Sequence, residues 1–409
     1  MKLELTYTDF CSQLNGKAEG APYSELIQEV VYDTRKINPS AGLVFFALTG
    51  PFRQGESYIS AAYEKGVRVF VVHQVPVNKW SDASFIVVKD TLVALQLLAK
   101  NYRNKLEYPI LAIAGSLGKT TVKEWLYHLL AGKLEVFRSP KSYNSQLGVA
   151  ISILQLPKKA DLAIIEVAAT KPGEMNVLAD MLRPTHGILT NLLSSHANEF
   201  SDFTQYSQEI CSMFLGVQWL ITPEETETIA QLSVKKISIL PNALDSLIPF
   251  QDDSSILQSK IAIAAAQEWT NIEEERIKSL PHLAMRLETF EGNDGSLIIN
   301  DTYTLDKEAF KSSLSYQLSI AGSKRRIVLI GLSAEQLVKT NEIMELCQQF
   351  GVDEVHFLQQ EEELTLSLKN AVVLVKGARF MQRVANRLKW KQHKTQLSYN
   401  LSALKHNLN

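Results

Sequence analysis

The run ILAIAGSLGKTT at residues 110–121, continuing as VKEWLYHLLAG to residue 132, decides how the rest of the chain is read. Ile110 to Ala114 form a continuous apolar stretch, the pattern of a strand buried on both faces in a parallel sheet. The segment after Gly118 has the apolar spacing of an amphipathic helix. Between them, Gly115-Ser116-Leu117-Gly118-Lys119-Thr120-Thr121 is a glycine loop opening a helix. Such a loop aims free backbone N–H groups and the positive end of the helix dipole at phosphate oxygens. Lys119 suits the β/γ-phosphate charge, and the Thr120 hydroxyl suits Mg²⁺. The eight-residue form of this motif would place a glycine where Ile113 stands, so the loop is a shortened version. A bland alternative is a glycine turn capped by surface Lys and Thr; the strand–loop–helix setting argues for phosphate.

On either side of this run, strand-like and helix-like stretches alternate, which predicts an α/β fold. GLVFFAL at 42–48, ISAAYEKG at 59–66 and VRVFVVH at 67–73 suggest a small α/β domain over 1–106. DLAIIEVAA at 161–169, GILTNLL at 187–193 and GVQWLIT at 216–222 alternate with helical stretches, predicting a doubly wound, mostly parallel sheet over 107–281. SLIIND at 296–301, RRIVLIG at 325–331, DEVHFL at 353–358 and AVVLVKG at 371–377 predict a smaller Rossmann-like domain over 282–396.

Polar groups at the carboxyl ends of such strands line the crevice where ligands bind. Glu166 ends the strand DLAIIE and suits Mg²⁺, which prefers hard oxygen ligands; capping a helix is the ordinary alternative. His196 follows GILTNLL in a serine-rich turn and is a candidate metal or phosphate contact, although a lone loop histidine is more often solvated. Asp301 and Tyr303 follow one strand of the third domain, and Lys376, Gly377 and Arg379 follow another. Arg286 lies at the junction of the second and third domains, where a nucleotide site would be.

The composition excludes several classes. With 45% hydrophobic and 21% charged residues among 409, the chain is neither disordered nor fibrous. Forty-two basic against 44 acidic residues leave a net charge of −2, which gives no electrostatic footprint for nucleic acid. No stretch approaches the roughly 18 consecutive apolar residues of a membrane span. Three scattered cysteines, Cys11, Cys211 and Cys347, indicate neither a disulfide framework nor a zinc site, and fit a reducing cytoplasm.

GSLGKTTVKEWL at 115–126, SPKSYNSQLGV at 139–149, IEVAATKPGEM at 165–175, RPTHGILTN at 183–191, AMRLE at 284–288, INDTY at 299–303 and VKGAR at 375–379 occur in the order and spacing of the Mur ligases. The chain resembles that family over nearly its whole length, and within it the branch that joins D-alanyl-D-alanine to UDP-N-acetylmuramoyl-tripeptide. The resemblance implies a three-domain architecture and an ATP- and Mg²⁺-dependent peptide ligase of peptidoglycan synthesis, acting in the cytoplasm through an acyl phosphate. It assigns catalysis to Lys119 and His196, and metal binding to Thr120, Glu166 and His196. Gly115, Ser116, Gly118, Lys119, Thr120, Thr121, Asn144, Arg286, Asp301 and Tyr303 would hold ATP. Asp33, Thr34, Arg35, Lys376 and Arg379 would hold the substrates.

LSYNLSALKHNLN at 397–409 is similar to the opening of alanine racemase, which implies a fused racemase as a covalent partner. Departures from the family pattern are Leu117 for Asn and Ile210 for a carbamylated lysine that holds a second Mg²⁺. Others are Thr304 in a Tyr-Asn pair, HANEF at 196–200, and Arg53-Gln54-Gly55-Glu56-Ser57 for Arg-His-Asp-Gly-His. A second reading, from a different class, is an impaired nucleotide-binding domain serving as scaffold for the racemase.

Overall fold

The computed structural model describes residues 3–50, 53–77, 80–193, 199–239, 242–303, 305–332, 340–360, 366–377 and 380–390. It divides into two compact units, Met1–Leu280 and Pro281–Asn409. His196, Thr304, Arg379 and the segment 397–409 lie outside the described residues.

The first part of the first unit is a five-stranded sheet. Its elements in chain order are α1 (Tyr7–Gln13), β1 (Lys17–Gly20), β2 (Glu29–Val31), β3 (Leu43–Phe46), the ribbon β4 (Thr49–Gly50) and β5 (Arg53–Gln54), α2 (Ile59–Glu64), β6 (Val69–Val72), β7 (Ser84–Val87) and α3 (Thr91–Arg103). The strand order is β1-β7-β6-β3-β2, with β1 antiparallel to β7 and the other pairs parallel. LVFF and VFVV are buried at every residue because helices or loops cover both faces. Asp90 caps α3 by accepting from the N–H groups of Leu92 and Val93.

The second part carries the glycine loop. It comprises β8 (Ile110–Ala114), α4 (Lys119–Leu130), β9 (Val136–Arg138), α5 (Gln146–Leu154), β10 (Leu162–Glu166), α6 (Glu174–Leu182), β11 (His186–Leu189), α7 (Phe203–Ser212), β12 (Trp219–Ile221), α8 (Glu227–Ala230), β13 (Lys235–Ile237), α9 (Asp253–Gln267) and α10 (Glu274–Lys278). All six strands are parallel, in the order β13-β12-β11-β8-β10-β9. The chain leaves β8 toward β9 and leaves β10 toward β11, so the direction of winding reverses between β8 and β10. A crevice opens at such a switch point. On one face, α4 and α9 pack with Leu111, Ile113 and Ile164. On the other face, α5, α6 and α7 share one apolar core with α3 and the strands of the first sheet. The segments expected as separate domains 1–106 and 107–281 therefore have separate sheets and a common core.

The second unit holds β14 (Glu288–Glu291), β15 (Leu297–Asp301), α11 (Lys307–Ala321), β16 (Arg325–Gly331), α12 (Thr340–Gln349), β17 (Glu354–Leu358), β18 (Ala371–Gly377) and α13 (Met381–Leu388). Its sheet order is β14-β15-β18-β16-β17, parallel except for the edge strand β14. Helices cover both faces: α11 and α12 pack on Val372 and Leu374, and α13 packs on Val373 and Val375. No helix among the described residues is long and apolar enough to cross a membrane.

Candidate active site

The glycine loop leaves β8 at the switch point, and two glycines allow its shape. Gly115 has φ +128° and Gly118 has φ +81°, conformations that side chains rarely adopt. A Cβ on Gly115 would also collide with the Thr190 hydroxyl. Gly118 precedes α4 without a side-chain cap. The first turn of α4 therefore presents its N–H groups to a ligand rather than to a capping oxygen.

The end of β11 clamps the loop from the side. Asn191 accepts the Ser116 N–H through its backbone oxygen at 3.0 Å and the Leu117 N–H through its side-chain oxygen at 2.8 Å. Thr190 donates to the Leu117 carbonyl at 2.6 Å. Ser116 is 4% exposed, and its hydroxyl meets the Tyr206 hydroxyl of α7 at 2.8 Å and accepts from the Leu193 N–H at 2.9 Å. The N–H and hydroxyl of Ser116 are thus both turned into the protein, which differs from the expectation that it faces phosphate. Its part is to hold the loop still. Leu117 fits the same clamp, because the contact uses its backbone alone.

Lys119 folds over the loop, donating to the carbonyls of Gly115 at 2.7 Å and Ser116 at 2.9 Å. Thr120 donates to Glu166 Oε2 at 2.7 Å and lies 2.9 Å from the Ser142 hydroxyl. Asn144 donates to the other carboxylate oxygen, Oε1, at 2.8 Å. The switch point thus brings together Thr120 from α4, Glu166 from the end of β10 and Asn144 from the 139–145 loop. Glu166 is 2% exposed. Thr121 is buried in the first turn of α4.

Lys123 escaped the sequence reading. It lies one turn beyond Thr120 on the buried face of α4, is fully buried, and donates to the carbonyls of Ser139, at 2.9 Å, and Lys141. Its ammonium is 3.7 Å from Glu166 Oε2 and 3.3 Å from Glu124 Oε1. Burial pushes its pKa below the usual lysine value, and the two carboxylates oppose that shift. Three residues from Thr120 is the spacing of one helix face, a signal that could have linked them. Gln258 of α9 was also missed; its side chain lies against Gly118, where a Cβ would come within 2.8 Å of it.

The segment Asp33–Arg35, expected to hold substrate, forms a surface turn. Asp33 accepts from the Arg35 backbone N–H at 3.0 Å and from its guanidinium at 2.9 and 2.8 Å. The Arg35 contacts hold the Asp33 carboxyl down at about 2. The Thr34 carbonyl accepts from Lys65 at 2.8 Å. Beside this turn the Lys36 ammonium lies 5.6 Å from the ring centre of Tyr32, and both groups interact electrostatically with Tyr143 of the 139–145 loop.

In the second unit, the Arg286 guanidinium sits 3.9 Å from the ring centre of Tyr303, which is 46% exposed. The neighbours Met285 and Leu287 have φ of 61° and 50°, so Arg286 is presented by strained backbone. Lys376 differs from the reading of a crevice-facing group. It falls on the face of β18 shared by Val372 and Leu374, is fully buried, and bonds to Asp301 and to Ser313 of α11 at 3.0 Å. The period of the strand decides this. Asp301, 8% exposed, is held by the same Lys376 and by the Ser313 hydroxyl at 2.6 Å.

Residues 113–248 match the family described as the Mur ligase middle domain. The chain is 24% identical over 366 residues to the UDP-N-acetylmuramoyl-tripeptide--D-alanyl-D-alanine ligase of Bacillus subtilis, covering 80% of this chain and 79% of that one. It is 36% identical over 172 residues to the ligase of the same name from Synechocystis, covering 42% of this chain and 37% of that one. A solved MurF ligase from Thermotoga maritima in complex with ADP matches with a TM-score of 0.73 at 21% identity, over 88% of this chain and 96% of that one. At that identity the likeness is one of fold.

Proposed function

We propose that the chain, whose residues 113–248 match the Mur ligase middle domain, is an ATP-dependent ligase of that family joining D-alanyl-D-alanine to UDP-N-acetylmuramoyl-tripeptide. The observation that carries this reading is the convergence of Lys119, Thr120, Glu166 and Asn144 at the switch point. It stands in a chain similar, over four fifths of its length, to a ligase of that name.

In this reading, the tripeptide carboxylate attacks the γ-phosphorus of ATP, and the bond to the β-phosphate oxygen breaks, leaving ADP and an acyl phosphate. The amine of D-alanyl-D-alanine then attacks the acyl carbon, loses a proton and displaces phosphate as the peptide bond forms. Such transfers need mainly positioning and charge neutralisation. Lys119 would leave the loop carbonyls for the phosphate oxygens, while the clamp of Thr190, Asn191 and Tyr206 keeps the loop in place. The turn Asp33–Arg35 would take the uridine nucleotide. A reaction that consumes ATP and a UDP-linked precursor belongs in the cytoplasm.

The residues at the switch point fit Mg²⁺. Thr120 and Glu166 place hard oxygens beside the phosphate loop, and Mg²⁺ takes one or two protein ligands with water and phosphate completing its shell. Thr120 and Glu166 would hold the ion, with His196 as the ligand the resemblance adds. When bound it would neutralise charge on the transferring phosphate. A second ion on a carbamylated lysine does not fit: Ile210 is 2% exposed in the apolar core with Phe200, Tyr206 and Met213.

The test is phosphate release from ATP with both substrates present. Release that requires both and disappears in Lys119→Ala supports the ligase. Release independent of D-alanyl-D-alanine, or none above the Lys119→Ala control, overturns it.

A further inference from the structure

We propose that Lys123 makes divalent-cation binding at Glu166 conditional on nucleotide, because its buried ammonium cancels the carboxylate's charge until a triphosphate supplies more. The inference rests on the reading of this crevice as the site of a triphosphate and its metal ion.

The charges around Glu166 sum to nothing negative. Two carboxylates, Glu124 and Glu166, face two cations, Lys123 and Arg138. Lys123 touches both acids, at 3.3 and 3.7 Å, and Arg138 pairs with Glu124 at 2.9 Å. Lys119, a third cation, lies on the neighbouring loop. The described residues hold no cluster of three or more His, Cys, Asp or Glu side chains suited to a metal. Sites that capture a free divalent cation instead gather several carboxylates, and Mg²⁺ sites with few carboxylates rely on substrate phosphates. A free cation arriving here meets one carboxylate whose charge is already balanced.

The lysine is not there for packing. It is fully buried, and replacing buried ion pairs by apolar side chains is often neutral or stabilising. What the ammonium supplies is a fixed charge, anchored by the carbonyls of Ser139 and Lys141. Those residues belong to the loop that carries Ser142 and Asn144. The same contacts therefore hold the metal's surroundings in place while opposing its entry alone.

The experiment is Mn²⁺ binding to the full chain, followed by electron paramagnetic resonance, with and without the non-hydrolysable analogue AMPPCP. Wild type takes up protein-bound Mn²⁺ only with AMPPCP. Lys123→Met and Lys123→Gln, each checked for folding by circular dichroism, bind Mn²⁺ without nucleotide at least about tenfold more tightly than wild type, as one fewer positive charge at this range requires. Adding Glu166→Gln to either variant abolishes the gain. Wild type that binds Mn²⁺ equally well with and without AMPPCP overturns the proposal, as does wild type that binds none with AMPPCP. Neutral variants that fold but gain no affinity also overturn it. Where both variants unfold, the wild-type arm can still overturn the proposal. A chain that passes these tests yet releases no phosphate with D-alanyl-D-alanine refutes the ligase reading and leaves this one standing.

Discussion

Tyr206 reaches from α7 to the Ser116 hydroxyl at 2.8 Å, a buried bond between a helix and the phosphate loop. Tyr206→Phe removes it while keeping the ring, and it should lower stability by about 1 kcal/mol, the usual net value of such a bond. Urea denaturation measures this, and a rise in KM for ATP would show that the loop loosens as well. Ile210, one helical turn further on, has a different lesson. Its place in the apolar core means that Ile210→Lys restores no metal site and instead buries a charge, costing about 3 kcal/mol or more. A large drop in melting temperature without any gain in phosphate release is the expected outcome. At this scale the sequence was legible where a local pattern placed a residue at the crevice, as the glycine loop did for Lys119 and Thr120 and a strand end did for Glu166. It was silent on Lys123, Thr190, Asn191, Tyr206 and Gln258, whose roles arise from contacts between segments far apart in the chain. Ser116 was legible as part of the loop but not in its orientation.

Among the elements, α4 joins the glycine loop, Thr120 and the core in one piece. Its entry residue Gly118 has φ +81° and lies against the Gln258 side chain, so Gly118→Ala would strain the backbone and push that side chain aside. The left-handed conformation alone costs about 1–2 kcal/mol. The variant should therefore melt earlier and bind AMPPCP more weakly, as read by thermal unfolding and calorimetry. β11 shows how one strand serves both ends of the sheet. Its carboxyl end leads into the Thr190–Asn191 clamp, and its first residue, His186, is buried between Trp219 and Trp269 with ring centres at 4.7 and 5.0 Å. Burial holds the His186 pKa below its usual 6.5. The neutral form is thus favoured in the folded state. Its contribution is complete above pH 6.5 and is lost as the pH falls toward the lowered folded value. The urea midpoint should decline from pH 7 to pH 5, and less steeply in His186→Phe. Thr185 still has the Ile110 carbonyl as acceptor in that variant.

For the whole molecule, ligand binding offers a direct check. AMPPCP with Mg²⁺ at a hundredfold excess over its Kd should stabilise the chain by about 2.7 kcal/mol, and Lys119→Ala should remove that gain. The sequence by itself determined the α/β class, the parallel central sheet and the position of the glycine loop. Those properties follow from local patterns: ILAIA and AVVLV are apolar without alternation because both faces are covered, and GSLGKTT carries its own turn and helix start. The chain divides into compact units between Leu280 and Pro281. Only the tertiary structure decided that the first two sheets share one core, and that Lys376 turns inward to Asp301 and Ser313. It alone showed a carboxylate at the switch point already balanced by a buried lysine. Burial and charge balance depend on which distant segments the fold brings within a few ångströms, and no spacing along the chain encodes that.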